Sequence, residues 1–66
     1  MGPTRYRIVV RGRLGNRLAA LFHGLDYEEG GGESALIGSL DQSGLHGVLR
    51  RLFDLGIDLV RVNPDE

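Results

Sequence analysis

Three consecutive glycines, Gly30 to Gly32, sit near the middle of this 66-residue chain and divide it into two segments that each read strand, helix, strand. A glycine run is a strong turn signal, because these residues take positive φ without steric penalty. Short extended runs at 25–29 and 34–40 flank it and read as a hairpin. The tyrosine decides the register. A three-residue loop would pair Glu29 with Glu33 and turn Tyr27 away from Leu36. A four-residue loop, Gly30 to Glu33, pairs Glu29 with Ser34 and buries the ring beside Leu36, on the face shared with Gly38 and Leu40. The second register is expected.

Residues 5 to 11, Arg-Tyr-Arg-Ile-Val-Val-Arg, alternate as a strand, with Tyr6, Ile8 and Val10 on one face and Arg5, Arg7, Val9 and Arg11 on the other. Gly12 and Gly15 punctuate a loop. Beyond it, Leu14, Leu18, Leu21 and Phe22 recur at helical spacing, with Asn16 as cap and Gly24 as stop, which predicts a helix of about ten residues. Asp41 stands as N-cap before a second stripe, Leu45, Val48, Leu49, Leu52 and Leu55, closed by Gly56. Gly44 and Gly47 near its start suggest a close approach of backbone there. A last strand is expected over 57–62, before Asn63-Pro64 ends order. The reading is a single domain over 4–63 with a disordered tail over 64–66.

Right-handed crossovers in both halves place the first and third strands at the centre of a four-stranded antiparallel sheet, with both helices on one face. This is an α+β, ferredoxin-like βαββαβ sandwich. The segments RIVVRGRLGNR and DQSGLHGVLRRLFDLGIDLV resemble the small ACT-like members of that superfold. They are also similar to short uncharacterised bacterial proteins with an RGRL start, a DQ-x-x-LHG helix opening and an LGI-x-L strand. The ACT-like resemblance implies pairing through sheets or helices and binding of amino acids or other small effectors at the interface.

Composition narrows the class further. No apolar run approaches the roughly 20 residues that span a bilayer, and the arginine-rich N-terminal segment contains no signal-peptide core, so a cytoplasmic protein without membrane association is expected. The sequence contains no cysteine, which excludes disulfides, thiol nucleophiles and thiolate metal sites. A core this small, weighed at about 25 cal/mol per Å² of apolar burial against about 1.5 kcal/mol per ordered residue, ends near zero. Self-association is the expected remedy. The leading reading is therefore a non-enzymatic binding or regulatory module acting as a homodimer or larger oligomer, without cofactor or metal.

Charge is unevenly spread: residues 1–17 hold five arginines and no acid, and residues 26–41 hold five acids and no base. Arg5, Arg7, Val9, Ile37 and Leu59 or Ile57 should share the sheet face that the helices leave open, with Asp26 and Glu28 on the same face at an edge. That face is the expected interface with a second copy. His46, Arg50 and Phe53 form a further stripe outside the main apolar face of the second helix, and Phe53 joins the candidate interface, where it could instead serve a partner-protein adaptor.

A different class of reading centres on Arg11, Arg13, Asn16 and Arg17, where a glycine loop enters a helix and free N–H groups could hold an anion. The loop resembles the acylphosphatase phosphate cradle, V-x-G-x-V-Q-G-V-x-F-R, at Val10, Gly12, Leu14, Gly15 and Arg17; it is shorter, and residues 25–40 contain no asparagine to orient a water. The resemblance implies a phosphate-binding enzyme. Nucleic-acid binding is not expected, because the open face offers no aromatic ring and the net charge is -1.

Overall fold

The computed structural model describes residues 2–65. Its elements are β1 (Thr4–Arg11), α1 (Gly15–Ala19), β2 (Asp26–Gly30), β3 (Glu33–Leu40), α2 (Gln42–Asp54) and β4 (Leu59–Pro64). The fold is α+β: four antiparallel strands in one open sheet, in the order β2-β3-β1-β4, with two helices. Alternation along β1 sends Ile8 and Val10 to the side where Leu36 of β3, Leu14 and Phe22 from the first crossover, and Leu45 and Leu52 of α2 form a single apolar cluster. Ile8, Leu36 and Leu52 are among the most completely buried side chains, each contributing about 1.5–3 kcal/mol.

The central hairpin has the register that buries the tyrosine: Tyr27 lies opposite Leu36 and Glu29 opposite Ser34. Pairing continues one step further, to Gly30 opposite Glu33, so only Gly31 and Gly32 form the loop. Their φ values of 61° and 78° are those of a type I′ turn, whose twist suits a two-residue hairpin. Gly38 has a separate reason to be glycine. A Cβ there would stand 2.5 Å from the Leu25 side chain, which lies across β3 where a larger residue would point.

Helix α2 follows its sequence signals closely. The Asp41 carboxylate accepts from Gly44 N–H at 2.7 Å, and the end is a Schellman arrangement in which Ile57 N–H donates to the Leu52 carbonyl at 3.0 Å around Gly56 at φ 74°. Of the two early glycines, only Gly44 is closely approached, by Asp41 and Leu40; Gly47 faces open space.

Two elements differ from expectation. The first helix has five residues rather than about ten, and Asn16 does not cap it: Leu14 occupies the cap position, with no side-chain hydrogen bond. After Ala19 the chain tightens into i to i+3 bonds, Leu21 N–H to the Leu18 carbonyl and Phe22 N–H to the Ala19 carbonyl. These turns carry Phe22 into the core and leave Leu21 exposed. The last strand begins and ends two residues later than 57–62. Pro64 belongs to it, and Asp65 N–H donates to the Arg5 carbonyl at 2.7 Å, so the first two residues of the expected tail are held against β1. Glu66 lies outside the described residues.

Candidate functional site

Three surfaces collect the candidate residues. On the face away from the helices, strand pairing sets out rows across the sheet: Glu28, Ala35, Val9 and Arg61, then Asp26, Ile37, Arg7 and Asn63. Val9, Ala35 and Ile37 form a small cluster at the centre of this face, and it is not bare; Val9 and Ile37 are each only 3% exposed. Arg7 Nη1 donates to the Glu28 carboxylate at 3.2 Å. A second contact draws the Arg7 guanidinium to Asp65 at 3.7 Å, and Arg5 pairs with the same carboxylate at 3.1 Å. Each exposed pair is worth under about 1 kcal/mol. The expected apolar surface at Val9 and Ile37 is absent, because both side chains are already buried within the single chain.

The second surface is the loop leading from β1, where Arg11, Arg13, Asn16 and Arg17 were the candidate anion ligands. All four side chains are exposed. Three amides of the loop are engaged within the chain. Gly12 N–H donates to the Gly32 carbonyl at 2.7 Å, Leu14 N–H to Ser34 Oγ at 3.2 Å and Gly15 N–H to Tyr27 Oη at 3.0 Å. Ser34 Oγ in turn donates to the Gly12 carbonyl at 2.6 Å, and Tyr27 Oη donates to the Glu29 carboxylate, which also faces Arg13 at 3.5 Å. Arg11 N–H is taken by the Asp58 carbonyl at 2.9 Å. The amides of Gly12, Leu14 and Gly15 thereby stitch the loop to the hairpin. Sequence reading missed this role of Ser34 and Tyr27; a serine alternating into the apolar face, at Ser34 between Glu33 and Ala35, was the available signal.

The third surface lies between α2 and β4. A shallow groove there is lined by His46, Leu49, Arg50, Leu52, Phe53, Asp54, Ile57, Asp58 and Leu59. Phe53 stands 84% exposed at its rim, as its place outside the apolar stripe of α2 implies. Leu59 was assigned to the open sheet face, and this too is corrected. Pairing shifts by one between Val9 and Val10, so that Arg61 lies opposite Val9 but Leu59 lies opposite Val10, on the helix side. A β-bulge of this kind reverses the facing of every residue beyond it. Leu59 thus joins Phe53, and Val60, the extra residue at the irregularity, sits on the free edge, 36% exposed. The candidate interface residues divide accordingly into Arg5, Arg7, Val9 and Ile37 on one face and Phe53 and Leu59 on the other side of the sheet.

Among the described residues no helix is long and apolar enough to cross a membrane. No curated protein and no solved structure matches the chain. A family model does match, over residues 5–63, which takes in every strand and both helices, and by that match the chain belongs to the family described as Domain of unknown function (DUF8691).

Proposed function

We propose that this chain is a non-catalytic binding or regulatory module of ferredoxin-like topology that acts as a homodimer. The strand order supports the topology, since β1 and β3 occupy the centre of the sheet. One observation carries the functional reading: the large apolar side chains left exposed after folding include Phe53 and Leu59, which line one groove between α2 and β4, and Val60, next to Leu59 on the edge strand. Scattered exposed apolar residues are ordinary, whereas a contiguous group beside a free strand edge marks a contact surface. A non-catalytic role fits the polar cluster of Ser34, Tyr27 and Glu29, whose hydrogen bonds go to backbone and to one another and leave Ser34 buried. The cytoplasm is the compartment proposed, because small domains of oxidising compartments are commonly held by disulfides and this sequence has no cysteine. Recognition of a small ligand or of a partner protein belongs to the same reading, by analogy of fold alone.

Light scattering coupled to size exclusion, from micromolar to millimolar protein, tests self-association. The expected mass is twice the 7.2 kDa of one chain. A single-chain mass at every concentration would overturn the reading.

A further inference from the structure

We infer that β4 is the seam of this dimer: two copies pair β4 with β4 about a two-fold axis, continuing the sheet across both, while Phe53 and Leu59 of each copy close the groove between α2 and β4. The inference rests on the proposed self-association and names its surface.

Backbone geometry comes first. β4 ends the strand order, so one side of it faces no strand of this chain. Asp65 N–H donates inward to Arg5. Donors alternate in a regular antiparallel ladder, so Asn63 and Arg61 also point toward β1 and Val62 points outward with its N–H free to pair; alternation does not carry through Val60, the residue at the bulge. Unpaired edges of this kind recruit further strands unless charge, proline or shortness prevents it. The opposite edge has such protection. β2 is five residues long and carries Asp26, Glu28 and Glu29 without a base, so two copies would repel there. β4 is one residue longer and has a bulge at Val60, one charge in Arg61 and a proline at its far end, but it carries no acid and offers exposed Leu59 and Val60.

Charge then identifies the occupant. Arg50, Asp54 and Asp58 line the groove together, and among the described residues none of the three enters an ion pair. A patch bearing both signs is its own complement, because a two-fold axis carries the arginine of one copy toward the aspartates of the other. A strongly acidic or basic partner would meet repulsion from half of it. The open sheet face competes poorly, since its apolar centre is already buried within the single chain.

The test measures dimer dissociation for the parent, Phe53→Lys, Val60→Lys and, on the open face, Arg11→Glu, together with amide exchange of the unmodified protein at low and high concentration. Phe53→Lys and Val60→Lys should each weaken the dimer by about tenfold or more, and Arg11→Glu should leave it unchanged. The Val62 amide should gain protection as concentration rises. The exchange experiment needs no variant, so a substitution that unfolds the chain does not remove the test. A dimeric parent whose Val62 amide exchanges equally at both concentrations would overturn the seam while leaving self-association standing. A dimer dissolved by Arg11→Glu and not by Phe53→Lys would do the same. A parent that is single-chain throughout would overturn both.

Discussion

Replacing Ser34 by alanine removes one oxygen that serves two backbone groups. Leu14 N–H would lose its acceptor at 3.2 Å and the Gly12 carbonyl its donor at 2.6 Å. Leu14 is buried, so water cannot readily replace the lost acceptor, whereas Gly12 is only half-buried and can be rehydrated. A buried polar group left without a partner costs about 1–3 kcal/mol, which places Ser34→Ala near 2 kcal/mol once the Gly12 carbonyl recovers a water. In a chain of this size that corresponds to a fall in Tm of roughly 10 °C. Tyr27→Phe removes the acceptor of Gly15 N–H from a less enclosed place and should cost about 1 kcal/mol. Both substitutions release the same loop, so the double variant should lose less than the sum. Urea denaturation at one fixed protein concentration measures all three, concentration being held because dimerisation adds to apparent stability. Amide exchange should show Leu14 deprotected in Ser34→Ala and Gly15 deprotected in Tyr27→Phe. A Ser34→Ala protein within about 0.5 kcal/mol of the parent, with Leu14 still protected, would refute the argument that the hydroxyl holds the loop.

Gly38→Val should destabilise by about 1–3 kcal/mol in the same denaturation assay, because the added carbons enter space held by Leu25; Gly47→Ala, in open space on a helix, should stabilise by up to about 1 kcal/mol. Asp41→Ala removes the cap on Gly44 N–H and should cost about 1 kcal/mol, with Asp41→Ser recovering most of it. Arg7→Met keeps an unbranched stem beside Ile37, its partner on β3, but loses the pairs to Glu28 and Asp65, so its loss should stay under about 1 kcal/mol, with Arg7→Ala clearly worse; equal losses would show that charge rather than the stem matters there.

The parts of this fold that local chemistry determines were readable from the residues. Tyr27 could be buried in only one of the two hairpin registers considered, and the paired glycines permitted the tight turn that register requires. Asp41 and Gly56 bounded α2 because capping acts within one turn of the helix end. What failed depended on distant partners. The length of α1 is set by where Ser34 and Tyr27 hold its start and by the burial of Phe22, neither of which helical spacing encodes. Leu59 changed face because of one irregularity against β1, and strict alternation has no means of anticipating it. Val9 and Ile37 read as available apolar surface because sequence shows which face a residue takes but not how far its neighbours across the sheet enclose it. The anchoring of the loop 11–17 was hidden for a related reason: its glycines and arginines were visible, but the hydroxyls that take the Leu14 and Gly15 amides come from the hairpin.

The place of β1 at the centre of the sheet has a consequence for how the molecule comes to exist. Its partners are β3 and β4, and the pairing of Val9 with Arg61 joins regions near opposite ends of the sequence. A ribosome delivers β1 before any strand that can hydrogen-bond to it, and β4, which completes its second side, is made after the other three. Such long-range closure slows folding relative to helical bundles of equal size, and it leaves the apolar Ile8-Val9-Val10 run waiting for full cover until β4 has been made. The arginines on either side of that run, Arg5, Arg7 and Arg11, supply charge that hinders aggregation during the wait, before any of them meets an acid in the finished sheet.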